Sequence, residues 1–302
     1  MFGRTYHSKF LSILIILAIF LILIQLHKKY CSPHEGFSQS VPFIIKRNDD
    51  IYDQFYAQIY DQLYDPKVNA DFVADLVVQN TLANTSKSVI LVIGCETGNQ
   101  INSLQLLGFN TFVIDKSQDM VDYALNLYPN IQAKVGDFNA PMSYDKSSFS
   151  HIICTGFLLY SIKDKLSFFR NVFHWLLPNG YFILQLADPS NFDTITPAGR
   201  SLVLETPHQY SKERITETDI DFGNFRYISR FDFSENLHNI VFKSETFTDK
   251  NTHYVRKHEQ TFYMENIESL LYSIQYCGFI IKGLFNLKTD QNQYIYILER
   301  PH

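Results

Sequence analysis

The sequence predicts an α/β domain built on a doubly wound, mostly parallel sheet, and three observations carry that prediction. Short apolar runs at 88–93, 110–115, 131–135, 149–154 and 180–187 mostly alternate with segments of helical length, the order that builds β-α-β units. The first run breaks into a turn holding Gly94 and Gly98, and the second ends in Asp115. Glycine lets a backbone approach a ligand closely, and an acid about 20 residues past such a turn is placed to accept the hydroxyls of a ribose. Finally, Val89 to Ile93 is apolar at every position, as expected of a strand buried on both faces.

Taken in chain order, the first element is apolar from Phe10 to Leu26, interrupted only by Ser12 and Gln25 and flanked by Arg4 and Lys9 on one side and Lys28 and Lys29 on the other. At the helical rise it spans about 25 Å, near the thin end of bilayer thickness. A cleaved signal sequence would have a shorter apolar region followed by small residues; this one ends in Gln-Leu-His-Lys-Lys-Tyr. Residues 1–29 therefore read as an uncleaved single-pass anchor, residues 30–49 as a Pro- and Gly-containing tether, and residues 50–302 as the folded domain. The basic flanks are nearly balanced and leave the orientation open.

Asp50 to Asp65 carries tyrosines at 52, 56, 60 and 64, a four-residue period that lines one slowly drifting helical face. A second helix is expected over 68–82. Strand 88–93, helix 98–107, strand 110–115, helix 117–128, strands 131–135 and 149–154, helix 163–177 and strand 180–187 follow. Beyond Asp188-Pro189 the pattern changes. Residues 190–220 look irregular, and Phe225–Phe233, Ile240–Thr248 and His253–Phe262 look like antiparallel strands separated by polar turns. Together they form an expected small β insertion over about 190–263. Glu265–Tyr276 reads as a helix stopped at Cys277-Gly278, and Ile280–Leu287 with Tyr294–Leu298 as a closing hairpin.

Composition narrows the function. A net charge of −5 over 302 residues gives no basic face for nucleic acid. Cys31, Cys95, Cys154 and Cys277 stand far apart and the histidines show no ligand spacing, so neither a disulfide framework nor a metal is expected. A nicotinamide site would need a Gly-x-Gly-x-x-Gly turn, and Gly94-Cys95-Glu96-Thr97-Gly98-Asn99 fails that spacing.

The order of motifs resembles the class I S-adenosylmethionine-dependent methyltransferases, over roughly Ile51 to Arg300. Where the family commonly reads Leu-Asp-Leu-Gly-Cys-Gly-Thr-Gly, this chain reads Leu91-Val92-Ile93-Gly94-Cys95-Glu96-Thr97-Gly98. Ile114-Asp115-Lys116-Ser117-Gln118-Asp119-Met120, Gly136-Asp137-Phe138, the strand ending at Cys154, and Leu176-Leu177-Pro178-Asn179-Gly180 stand in the family's order. The resemblance implies a Rossmann-like seven-stranded sheet with a reversed terminal hairpin and the cofactor S-adenosylmethionine. It implies a cofactor site from Tyr60 of the tyrosine helix, Gly94, Cys95, Glu96 and Gly98 of the loop, Asp115, Lys116 and Met120, then Asp137, Phe138 and Cys154. Asp115 would hold the ribose, Asp137 and Phe138 the adenine, and Gly94 and Gly98 would keep the backbone open around the cofactor.

Two departures stand out. Val92 replaces the family's acid, and Glu96 replaces its middle glycine, at a place where positive φ would be uncommon for a side chain. Either Glu96 supplies the missing carboxylate to the cofactor's ammonium, or the loop has decayed. The expected function is a membrane-anchored methyltransferase acting on a small-molecule or lipid-like acceptor, its domain on the cytosolic side where the cofactor is made. The alternative is an inactive methyltransferase fold serving as a tethered interaction module. Methyl transfer needs positioning more than a nucleophilic side chain. An oxygen acceptor would also need a base, and His151, Tyr160 and His208 are the candidates.

Overall fold

The computed structural model describes residues 39–200, 213–233 and 239–302, and the folded unit runs from Val41 to His302. The expected anchor at 10–26 and the first part of the tether, 30–38, lie outside the described residues. Among the described residues no helix is long and apolar enough to cross a membrane.

The central sheet contains β2 (Val89–Ile93), β3 (Asn110–Asp115), β4 (Gln132–Val135), β5 (Phe149–Cys154), β6 (Leu176–Ala187), β11 (Ile280–Leu287) and β12 (Asp290–Glu299), in the order β11-β12-β6-β5-β2-β3-β4. β2 to β6 pair in parallel, while β12 runs antiparallel to β6 and β11 antiparallel to β12. This is the expected seven-stranded sheet with its reversed hairpin. Winding reverses between β2 and β5, and ligands bind outside the carboxyl ends of strands at such a switch point. Apolar side chains fill both faces. Leu91, Ile93, Ile152 and Phe182 belong to one cluster, Ile90, Val92, Ile153 and Ile183 to the other, which explains why β2 is apolar throughout.

Five of the helices are α1 (Gln54–Tyr64), α2 (Lys67–Asn80), α3 (Asn99–Leu106), α4 (Gln118–Leu127) and the short α5 (Leu158–Ser161); α6 (Lys165–Trp175) and α7 (Ile267–Tyr276) follow. Their starts are chemically marked. The side chains of Asp53, Ser117, Asp164 and Asn266 each accept a backbone N–H of the first turn, satisfying donors that a helix leaves open.

The second sheet departs from expectation. It has five strands, not three, in the order β1-β10-β9-β8-β7, from β1 (Phe43–Arg47), β7 (Glu217–Asp221), β8 (Phe225–Asp232), β9 (Ile240–Asp249) and β10 (Val255–Tyr263). β1 falls within the segment expected to be tether, and it pairs in parallel with β10, Phe43 opposite Val255 and Arg47 opposite Glu259. The layer is therefore not one insertion over 190–263, because its edge comes from before the domain. β7 lies where irregular chain was expected. Its polar run Glu-Thr-Asp-Ile-Asp is an edge strand held by ion pairs Glu217–Arg230 and Asp219–Arg226 to its neighbour.

Candidate active site

The glycine loop leaves β2 with left-handed backbone at three alternate residues. Gly94 has φ +88°, Glu96 +45° and Gly98 +89°. Glu96 thus keeps a left-handed backbone although it is not glycine, contrary to the sequence expectation; such a residue is rare and costs energy that its surroundings must offset. A Cβ on Gly94 would lie 2.9 Å from Leu158, and Gly94 lines the adjoining cavity. Gly98 works differently. A Cβ there would meet Tyr128 at 2.8 Å and Ala124 at 3.1 Å, so this glycine lets α3 start against α4 and does not face the cavity.

Asp115, at the end of β3, ties the loop down. Its Oδ2 accepts the Cys95 N–H at 2.6 Å and its Oδ1 the Ser117 N–H at 2.8 Å. Burial pushes this carboxyl above its ordinary pKa, and the two backbone donors oppose that rise. α1 is fastened to the same loop: Asp61 accepts the Thr97 hydroxyl and, at 3.1 Å, the Asn99 amide. The Ser117 hydroxyl in turn donates to the carbonyl of Tyr52.

These elements enclose a cavity of about 530 Å³, within the range of small-molecule sites. Part of its wall is Gly94, Glu96, Asp115, Lys116, Met120 and Phe138; another part is Asp193, Thr196, Arg200, Phe231, Lys243 and Phe262. The tyrosine stripe of α1, with Tyr52 just before it, joins the two. Ring centroids of Tyr52, Tyr56, Tyr60 and Tyr64 follow one another at 5.8, 5.7 and 4.8 Å. Tyr64 accepts from Lys243 at 2.6 Å.

The expected cofactor residues separate into two groups. Tyr60, Gly94, Glu96, Asp115, Lys116, Met120 and Phe138 line the cavity. Cys95, Cys154, Gly98 and Asp137 do not. Cys95 and Cys154 are buried, the Cys95 thiol lying 3.9 Å from the Met120 carbonyl and burial pushing the Cys154 thiol up to about 12. Asp137 points outward and pairs with Lys116 at 3.7 Å.

Neither described candidate base faces the cavity. His151 sits at the amino-terminal part of β5, buried against Tyr181 and bonded to Thr81 at 2.9 Å and Ser150 at 2.8 Å; burial lowers its pKa to about 4. Tyr160 is buried, with its hydroxyl exchanging hydrogen bonds with the Ala187 backbone. His208 lies outside the described residues.

The second sheet brings a set of residues that the sequence reading did not single out. Glu245 is buried on its inward face, where Oε1 accepts from Tyr64 at 2.6 Å, Tyr227 at 2.7 Å and Lys243 at 2.8 Å, and Oε2 from Tyr56 at 3.0 Å. Burial opposes ionisation here, but Lys243 and His258 outweigh it and hold the carboxyl well below the usual range. Arg256 donates to His258 Nε2 at 2.8 Å, which leaves the ring's proton on Nδ1, 3.6 Å from Glu245. The available signal was alternation: Val241, Lys243, Glu245 and Phe247 share one parity of an apolar-facing strand, and charges at such positions need buried partners.

A parallel sheet with a reversed hairpin, a glycine loop at its switch point and an acid at the next strand's end together define the class I methyltransferase fold. Residues 90–180 match the methyltransferase domain family, a segment that holds the loop, Asp115 and the Gly136-Asp137 turn. Among solved structures the chain is similar to an S-adenosylmethionine-dependent methyltransferase from Clostridium acetobutylicum, at 18% identity and TM-score 0.62, covering 82% of this chain and 98% of that one. It is similar to the CcbJ methyltransferase from Streptomyces caelestis, at 14% identity and TM-score 0.63, covering 82% and 96%. A third is S-adenosylmethionine-bound CalS10 from Micromonospora echinaspora, an amino pentose methyltransferase, at 13% identity and TM-score 0.57, covering 82% and 97%. At these identities the likeness is one of fold. No curated protein matches the chain.

Proposed function

We propose that the chain transfers the methyl group of S-adenosylmethionine to a polar small-molecule acceptor, from a domain held at a membrane by residues 10–26. The observation that carries the reading is the single cavity shared by the loop of β2 and the inward face of the second sheet. Asp115 would hold the ribose hydroxyls, Phe138 and Met120 the adenine, and Tyr60 and Glu96 the amino-acid part. When bound, the cofactor supplies an electrophilic methyl on a sulfonium. The chain's own contribution is orientation and exclusion of water by the tyrosine stripe.

The acceptor's class follows from the rest of the wall. Lys243 is matched by Glu245 and Arg200 by Asp193, at 2.8 and 3.2 Å, so this part of the cavity pairs its charges. Phe157, Phe231 and Phe262 add aromatic faces beside the hydrogen-bonding groups of Thr196, Gln185 and Gln293. That combination suits an uncharged, oxygen-rich molecule with an apolar face. CalS10 is an amino pentose methyltransferase, so a protein of similar fold takes a small sugar, in that case one bearing an amine. The anchor rests on the apolar run Phe10 to Leu26, with the domain on the cytosolic side.

Incubation of the full chain with methyl-labelled S-adenosylmethionine and small-molecule extract, fractionated by size, tests the reading. Label should enter a low-mass, water-soluble product; label confined to protein or lipid would refute the acceptor class. Alkaline carbonate washing should leave the full chain in membranes, and its release would refute the anchor.

A further inference from the structure

Glu96 stands on a left-handed turn of the loop, half-buried, and lines the cavity with its carboxylate against Gly156. A Cβ built on Gly156 would lie 2.8 Å from Glu96 Oε1, so a side chain there would push the acid aside. Tyr60 of α1 lines the same cavity and, as a donor, favours the ionised form of the acid. The other groups acting with it are Asp61 of α1, Asp115 of β3, Tyr52 before α1, Cys95 of the loop and Cys154 of β5. Asp61 and Asp115 are like charges, and among the described residues the side chain that favours ionisation is a neutral phenol. Burial first, then these two acids, push the Glu96 carboxyl up to about 7 against the Tyr60 donor. At Val92, meanwhile, the side chain is buried in the apolar core and offers the cofactor nothing.

We infer that Glu96 binds the ammonium of the cofactor in place of the acid absent at Val92, and that it releases its proton to solvent as the cofactor enters. The carboxylic O–H bond breaks and its proton passes to water or buffer, while the carboxylate left behind pairs with the ammonium; no other bond changes. The inference rests on the cofactor reading proposed above. The sign follows directly. Only the ionised form pairs with the cation, so affinity grows as pH rises through the free group's pKa. The window closes above pH 7, because the cofactor's own amino group titrates at about 7.7–8.0.

The test is calorimetric titration of the full chain in two buffers of different ionisation enthalpy, which counts protons. S-adenosylmethionine should displace about half a proton at pH 7, and its affinity should rise about fivefold from pH 6 to pH 7. S-adenosylhomocysteine keeps the ammonium without the sulfonium and should behave alike. Methylthioadenosine lacks both charges and should bind without proton release. Glu96→Gln should abolish the release and flatten the pH dependence. Tyr60→Phe removes the donor that favours the ionised form and should move the midpoint upward, a readout that stands even if Glu96→Gln does not fold. Binding without proton release, or equal release from wild type and Glu96→Gln, would overturn the inference while leaving the cofactor reading intact. Release with S-adenosylmethionine alone would place Glu96 at the sulfonium and also overturn it. Failure of both cofactor forms to bind wild type at millimolar concentration would instead defeat the cofactor reading itself.

Discussion

Gly98→Ala separates a structural glycine from a ligand-facing one. The native φ of +89° is a conformation that alanine rarely adopts, and forcing a side chain into left-handed backbone costs about 1–2 kcal/mol. The added methyl would also sit 2.8 Å from Cδ2 of Tyr128 and 3.1 Å from Cβ of Ala124, and overpacking of this kind costs about 1–3 kcal/mol. The sum is about 2–5 kcal/mol, a large share of ordinary domain stability. Urea unfolding monitored by circular dichroism should show a lower midpoint with an unchanged slope. In a Tyr128→Ala background the closest contact is gone, and the same substitution should cost about 1–2 kcal/mol, mainly the backbone strain. An unchanged midpoint for Gly98→Ala, or an equal cost in both backgrounds, would refute the packing argument. Loss of cofactor binding with stability intact would return Gly98 to the ligand.

Three other perturbations follow. Glu245→Gln strands the Lys243 ammonium in a buried site and should cost about 3–5 kcal/mol at neutral pH. Because folding holds the Glu245 carboxyl below its ordinary range, its contribution is full above about pH 5 and shrinks as pH falls below that toward the native value; the gap between wild-type and variant urea midpoints should narrow from pH 7 to pH 3, and parallel curves would contradict the assignment. Asp115→Ala removes the acceptor of the Cys95 and Ser117 amides as well as the proposed ribose contact. It should weaken S-adenosylmethionine binding by about 1.5–3 kcal/mol in calorimetry, and equal affinity in a folded variant would exclude the ribose role. A chain beginning at Asp50 lacks β1 and leaves β10 as an open edge. It should melt lower and aggregate sooner than one beginning at residue 39, and equal melting temperatures would show the strand to be dispensable.

The parallel sheet was legible because its signals are local. Ile90 to Ile93 and Val113 to Asp115 are apolar runs that end in the glycines and the acid forming the site. The tyrosines of α1 were legible as a stripe, although the residues they meet were not. β1 was missed because Phe-Ile-Ile-Lys-Arg is short and mixed, and its partner is Val255 to Glu259, more than two hundred positions on. β7 was missed because an exposed edge strand carries no apolar alternation: Glu217, Asp219 and Asp221 face solvent. His151 looked like a base because sequence cannot say that it lies at the amino-terminal part of β5, away from the switch point. The Glu245 network is likewise assembled by tertiary structure from α1, β8, β9 and β10. Glu96 was legible as an oddity, but its place opposite Gly156 was not, since that contact joins the loops after β2 and β5.

The central claim is that this cavity is a working S-adenosylmethionine site despite Val92 and Glu96. Calorimetric titration of the full chain with S-adenosylmethionine at pH 7 tests it most directly. One saturable site per chain, weakened by Asp115→Ala, is the result this structure predicts. No binding at millimolar cofactor by a folded chain, together with gained binding when Val92→Asp and Glu96→Gly are combined, would contradict it and identify the fold as a decayed one.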